Sequence, residues 1–263
     1  MELDKIYNMD NLDLLRGIVS NSVDLIYSDI LYNTGRKFKD FNDNLGSTSE
    51  AIDWYRPRIV EMKRILKIGG SIFIHCDWHL VHYLKVLMDE VFGESNFRND
   101  IVWRYKRWTS SSNSKFQSMH DNILFYSNGN NTIKHHYEEL ERPRQYQNRK
   151  DKKGNVLKDE EGNVIYFPQT HRQIDDVWDI PILNPRAKER TGYQTQKPEK
   201  LIERIILSST DEGDIVADFF CGSGTTPVVA KKLNRRFIAC DINKNACEIT
   251  ESRLNNLMQI NNT

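Results

Sequence analysis

The chain has 263 residues, and its 37 Lys or Arg are balanced by 37 Asp or Glu, so its formal net charge is zero. That length suits one large domain or a core with an inserted lobe, and the balance neither suggests nor excludes a nucleic-acid partner. Cys76, Cys221, Cys240 and Cys247 lack CxxC spacing, no apolar leader opens the chain, and no run nears the ~20 apolar residues of a membrane span, so a soluble, cytoplasmic protein with reduced thiols and no metal site is expected.

A first α/β block runs from Lys5 to about Trp103. "LDLLRGI" (12–18) carries a helical apolar pattern, and "VDLIYS" (23–28) reads as a buried strand. The strand runs into a turn at Asn33-Thr34-Gly35, and Asp29 and Tyr32 stand three residues apart at its mouth. Taken alone, that pair is a strand end with a turn aspartate. Ser49 is the expected cap of a helix over 49–67, with Ile52, Tyr55, Ile59, Met62 and Leu66 on its apolar face. Pro57 is expected to kink or divide that helix, and Gly69-Gly70 to end it. A strand (71–77), a helix (80–93) and a strand (99–105) follow.

The middle, 104–190, breaks this rhythm with stretches rich in Ser, Asn, Arg and Tyr. Residues 98–153 hold twelve Lys or Arg against six Asp or Glu, a local excess that suits a phosphate-facing surface or a solvated charged face. Trp103, Tyr105, Trp108 and Tyr126 lie among those basic residues. They suit backbone clamping and base stacking, and equally a core. "GNVLKDEEGNVIYF" (154–167) repeats Gly-Asn-Val at an interval of eight, and reads as a hairpin rather than a repeat architecture.

The last block runs from about Gly192 to Leu257. A helix (198–210) opening on Pro198 precedes a strand "DIVADFF", a turn "CGSGTT", a helix "PVVAKKL" and a strand "RRFIACDI". This is a βαβ unit, so the sheet is largely parallel. Asp218 lies at a strand end before Gly222 and Gly224, and Thr225-Thr226 open the helix. Glycines admit close backbone approach, and a helix start favours an anionic group. Asp241 closes the next strand, where an acid binds ribose hydroxyls. A dinucleotide fingerprint needs a third glycine where Pro227 stands, so an adenosyl ligand with a different tail fits better. A tight turn with a solvent-facing aspartate also fits these residues.

"DFFCGSGTT" (218–226), preceded by "YQTQKP" (193–198), and the earlier "DILYNTG" resemble the amino-methyltransferases of DNA, with segments in the order of their permuted β class. "YNMDNLDLL", "RILKIGG", "SIFIHCDWHLVHYLKVLMDEVFG", "NDIVWRYKR" and "HDNILFYS" resemble that family's connecting segments, so the likeness spans nearly the whole chain. The resemblance implies a doubly wound, largely parallel α/β sheet of the Rossmann-like methyltransferase type. It further implies a catalytic half (1–103), a target-recognition insertion (104–190) and a cofactor-binding half (191–263).

The implied activity is methyl transfer from S-adenosylmethionine to N6 of adenine in double-stranded DNA, with the base flipped out. Asp29 and the backbone carbonyl of Ile30 would accept hydrogen bonds from the amine, while Tyr32 stacks on the base. Asp10 and Asn11 resemble the segment near the cofactor's adenine, and Gln196, Lys197 and Pro198 that near its methionine end. Asp218, Phe219, Cys221, Gly222, Gly224, Thr225, Thr226 and Asp241 complete the cofactor set. Arg104, Lys106, Arg107, Lys115, Arg142 and Arg144 are the DNA-contact candidates. A homodimer and a cognate restriction endonuclease are partners that the resemblance admits.

Asp at position 29 favours adenine, since cytosine members carry Ser there, and Ser28 points to the other strand face. The family usually places two prolines between the carboxylate and the aromatic ring. Here Ile30 and Leu31 keep the bulk but add two N–H donors beside the pocket. A donor aimed at the target nitrogen would compete with the acceptors, whereas donors tied to neighbouring carbonyls would leave the site intact. N4-cytosine methylation, and a catalytically weak DNA-binding relative, are the alternative readings.

Overall fold

The computed structural model describes residues 1–107, 114–130, 133–134 and 137–260, apart from the side chains of 137–147, 167, 169, 258 and 260. Trp108 therefore lies outside the described residues. The chain divides into two units, one of residues 1–134 and 176–263, the other of residues 135–175. No helix among the described residues is long and apolar enough to cross a membrane.

In the larger unit, the chain order begins β1 (Lys5–Asn8), α1 (Asn11–Gly17), β2 (Val23–Asp29), β3 (Arg36–Lys37), β4 (Asn42–Asp43), α2 (Thr48–Ile65), β5 (Leu66–Cys76), α3 (Val81–Phe92), β6 (Phe97–Arg104) and β7 (His120–Ser127). The smaller unit supplies β8 (Tyr137–Asn148) and β9 (Tyr166–Gln173). The larger unit resumes with β10 (Val177–Asp179), α4 (Glu199–Ser209), β11 (Ile215–Asp218), α5 (Thr225–Lys232), β12 (Arg236–Asp241) and α6 (Lys244–Ile260). Eight strands form one sheet in the order β1-β12-β11-β2-β5-β7-β6-β10. The first five run parallel, and β7 pairs antiparallel with both β5 and β6. Within the span 104–190, β7 and β10 thus belong to the main sheet.

Both faces of the sheet are covered, which is why its central strands read as nearly unbroken apolar runs. Ile26, Ile72, Ile74 and Leu124 pack with Leu14, Tyr55, Ile59, Met62, Leu84 and Met88 of α1, α2 and α3. The alternate residues include Phe73 and Phe125, directly opposite each other on β5 and β7, whose rings stack 4.3 Å apart. Trp103 and Tyr126 are core residues. The indole of Trp103 donates to the Ile180 carbonyl and the Tyr126 hydroxyl to Asp89.

Three local expectations are corrected. The cap of α2 is Ser47, not Ser49, because Glu50 reaches back to the Ser47 amide while the Ser47 hydroxyl accepts from the Glu50 amide. The helix runs on through Pro57 rather than dividing, and it stops at Ile65, before the glycines. Gly69 and Gly70 instead lie inside β5, at an irregularity where Val23 pairs with Leu66 but Leu25 already pairs with Ser71. A Cβ on Gly70 would come within 3.0 Å of the Asp24 carbonyl, so glycine is needed for that close approach.

In the smaller unit, β8 and β9 pair antiparallel, and between them the chain makes one turn twice. The Asp151 carboxylate accepts from the amides of Lys153 and Asn155, and the Asp159 carboxylate from those of Glu161 and Asn163. Antiparallel bridges Lys150–Val156 and Lys158–Val164 flank the two turns. The hairpin around "DEEG" is therefore present, and the Gly-Asn-Val spacing marks a second copy of its turn.

Candidate active site

The carboxyl ends of β2 and β11 lie side by side, since Leu25 pairs with Val216 and Ile26 with Ala217. Asp29 and Asp218 end these two strands, so segments almost two hundred residues apart meet at one edge of the sheet. The crossovers leave that point in opposite directions, which opens a crevice there. A cleft of about 810 Å³ results, lined by Asp10, Asn11, Asp29, Tyr32, Lys197 and Asp241 among others.

One half of the cleft is the glycine turn. Gly222 and Gly224 have φ of 49° and 75°, and a Cβ on Gly224 would sit 2.3 Å from Thr250. Only glycine fits there. The Gly222 amide donates to Asp241 Oδ2, and the amides of Phe220 and Asn243 to Asp218 and Asp241. The Thr226 hydroxyl donates to Asp218 at 2.6 Å. Burial nevertheless pushes the Asp218 carboxyl up to about 7, against the pull of those donors, and raises that of Asp241. Asp10 caps α1 and Asn11 donates to the Phe219 carbonyl; Arg58, stacked 3.3 Å from the Trp54 ring centre, bonds both. This buried guanidinium, unmarked in the sequence, holds the Asp10–Asn11 turn against the cleft wall.

Asp29 dominates the other half. Its Oδ1 accepts from the Tyr32 hydroxyl at 2.9 Å, and its Oδ2 meets Lys197 Nζ at 2.5 Å. Beneath it lies His75, fully buried, with Nδ1 2.8 Å from the Tyr27 hydroxyl and 3.8 Å from Asp29 Oδ1. His75 Nε2 is 3.5 Å from Asp121, whose other oxygen accepts from the Tyr105 hydroxyl. Burial would raise the Asp121 carboxyl, but His75, Lys197 and Tyr105 outweigh it and hold it below the usual range. The Tyr32 phenol stays protonated, raised by burial and by Asp29, so it acts as a donor. The Ile30 amide is tied to the His75 carbonyl at 3.2 Å, and the Leu31 carbonyl accepts from Tyr55.

Other expected residues fall differently. Thr225 lines the cleft and bonds the Lys197 carbonyl. Cys221 and Phe219 are buried on the wall. Gln196 also lines it, but both ends of its amide hold the Glu189–Thr191 backbone. Pro198 caps α4, buried and off the wall. Arg104 is exposed with its guanidinium forked on Asp179. Lys106, Arg107 and Lys115 are exposed, and Arg107 reaches the cleft. Arg142 and Arg144 lie on β8 with side chains outside the described residues. Among the described residues, eight aspartates line the cleft against Arg36, Arg107 and Lys197. That field suits a ligand bearing positive charge and disfavours a pyrophosphate.

A family model described as DNA methylase, of the N6/N4 methyltransferase group, matches residues 23–252. The chain is 33% identical to the type II methyltransferase M.BglII of Bacillus subtilis over 94% of its own length and 68% of that protein. It is 31% identical to the DNA adenine methyltransferase YhdJ of Escherichia coli (strain K12), covering 96% of this chain and 83% of YhdJ. Among solved structures, the M1.HpyAVI–SAM complex superposes with a TM-score of 0.60 at 20% identity, over 95% of this chain and 98% of that one. The fold, the cleft at the β2–β11 edge and these matches agree: the chain belongs to the N6/N4 family of DNA methyltransferases.

Proposed function

We propose that this protein methylates the exocyclic N6 of adenine in duplex DNA, using S-adenosylmethionine and an extruded target base. Asp29 carries the reading. It is a carboxylate at a strand end, 19% exposed, beside an aromatic ring and one strand away from a glycine turn. An adenine amine is a weak nucleophile because its lone pair is drawn into the ring. Accepting its N–H groups, one at Asp29 and one at the Ile30 carbonyl, frees that lone pair. As N6 gains the methyl group it becomes positively charged, which the carboxylate offsets, and one amine proton leaves toward Asp29. Tyr32 supplies the face on which the base stacks.

S-adenosylmethionine, when bound, supplies a methyl group on a positively charged sulfur. The residues fit it: Gly222 and Gly224 form a turn whose backbone a ligand approaches closely, Asp241 suits ribose hydroxyls, and Asp10, Asn11, Phe219, Cys221, Asp218, Thr225 and Thr226 shape the adjoining wall. Lys106, Arg107 and Lys115 would meet phosphates, with Arg142 and Arg144 of the smaller unit added to that set. Asp rather than Ser at position 29, and the similarity to the adenine methyltransferase YhdJ, support adenine over cytosine. The type II names of relatives extend the proposal to a cognate restriction endonuclease.

The test is incubation with unmethylated genomic DNA and labelled cofactor, digestion to nucleosides, and mapping of the modified position. N6-methyladenine at one short sequence is expected. N4-methylcytosine would overturn the base assignment, and absence of label would favour a DNA-binding protein without catalysis.

A further inference from the structure

Lys197 carries a contact that its place in the cofactor segment does not account for. Its Nζ lies 2.5 Å from Asp29 Oδ2 and 5.4 Å from the Tyr32 ring centre, with the side chain only 12% exposed. The proposed chemistry gives that carboxylate to the target amine and that aromatic face to the base which carries it. We infer that Lys197 holds the position of the target amine, and that it must leave Asp29 before a base can be methylated. The inference rests on the proposed function and deepens it.

Two physical conflicts drive the displacement. Tyr32 donates to Oδ1 and Lys197 to Oδ2, so each oxygen keeps a lone pair for an arriving amine. The ammonium, however, fills the space beside Oδ2 and over the Tyr32 ring that the amine and its base would take. The ammonium also neutralises the charge that must offset the cation developing on N6. A lysine left in place would weaken both base binding and transfer.

The route off Asp29 is built into the segment. The Lys197 carbonyl accepts from the Thr225 hydroxyl at the first residue of α5, so the lysine stem stands between the glycine turn and the base pocket. The carboxylate of a bound cofactor would offer the ammonium an alternative partner. Cofactor binding then releases Asp29, and the protein takes cofactor before base.

Once the target is mapped, 2-aminopurine in place of the base stacked beside it reports extrusion, because losing its neighbour brightens it while the target keeps its own amine. Wild type is expected to brighten about tenfold more with S-adenosylhomocysteine than without it, and to gain little from methylthioadenosine, which lacks the carboxylate. K197M and K197Q should brighten nearly as much without any cofactor analogue, while K197R, which keeps the ion pair, should behave as wild type. Thermal unfolding of each variant checks that the fold persists. Cofactor dependence in K197M and K197Q equal to wild type, extrusion by wild type without cofactor, or full brightening with methylthioadenosine would each overturn the inference. Absence of methylation on any DNA would instead sink the proposed function, before the analogue is placed.

Discussion

The Ile30 amide donates to the His75 carbonyl at 3.2 Å, across the strand pair that presents Asp29. One of the two donors introduced where the family usually has prolines is thus consumed within the sheet edge, and does not compete for the carboxylate. The Ile30 side chain is also core, 5% exposed. Ile30→Pro, which restores the family residue, therefore breaks a backbone bond and removes buried apolar surface. It should cost about 2 kcal/mol in urea unfolding and bring no gain in methyl transfer. A faster or more stable variant would contradict this account of the site.

Asp29→Ala should lower methyl transfer by at least about a thousandfold, since the carboxylate is the charged acceptor for the amine. Cofactor affinity, measured by calorimetry with S-adenosylhomocysteine, should not weaken, because the glycine turn is built from other residues and Lys197 is released for the cofactor. Transfer at wild-type rate by this variant would remove Asp29 from the chemistry.

Gly224→Ala meets two obstacles at once, a φ of 75° and a Cβ 2.3 Å from Thr250. The Thr250 side chain is itself pinned to the Ala246 and Gly222 carbonyls, so it cannot swing away freely. A loss of about 3 kcal/mol is expected, read as a lower urea midpoint at unchanged slope. A midpoint within error of wild type would show that the turn relaxes.

Asp218 makes stability depend on pH with an unusual sign. Its carboxyl sits at about 7 in the folded protein, above its ordinary value of 3.8, because burial disfavours the charged form. Between pH 4 and 7 the unfolded chain has lost this proton while the folded one still holds it. Folding then grows less favourable as pH rises through that window, by at most roughly 1.4 kcal/mol per unit, and the loss levels off above it. Asp241, also raised by burial, acts in the same direction. Asp218→Asn cannot ionise, so its stability relative to wild type should improve from pH 5 to pH 8. Parallel pH–stability curves for the two proteins would refute the buried titration.

The sequence by itself determined five of the eight strands of the main sheet, the glycine turn and the family. Apolar runs such as 23–28 and 71–76 are local signals, because strands covered on both faces need apolar residues at successive positions. Gly222, Gly224 and Asp218 are equally local, since a tight turn at a helix start restricts which residues fit. The cap of α2 was legible only to within two residues. Ser47, Thr48 and Ser49 offer similar hydroxyls, and the reach of Glu50 decides among them. Sequence spacing placed Gly69-Gly70 at a helix end, whereas sheet pairing uses them to let β5 pass close to Asp24.

Contacts between distant segments were decided by the tertiary structure alone. Lys197 and Asp29 are 168 residues apart, Arg58 and Asn11 are 47 apart, and His75 lies between Asp29 and Asp121 on three neighbouring strands. No local pattern encodes such pairs, because which charge meets which depends on strand order and on how much water the fold removes between them. That is why the residue types of the site could be read along the chain, while the partners that set their charge and access appeared only once β11 was laid beside β2.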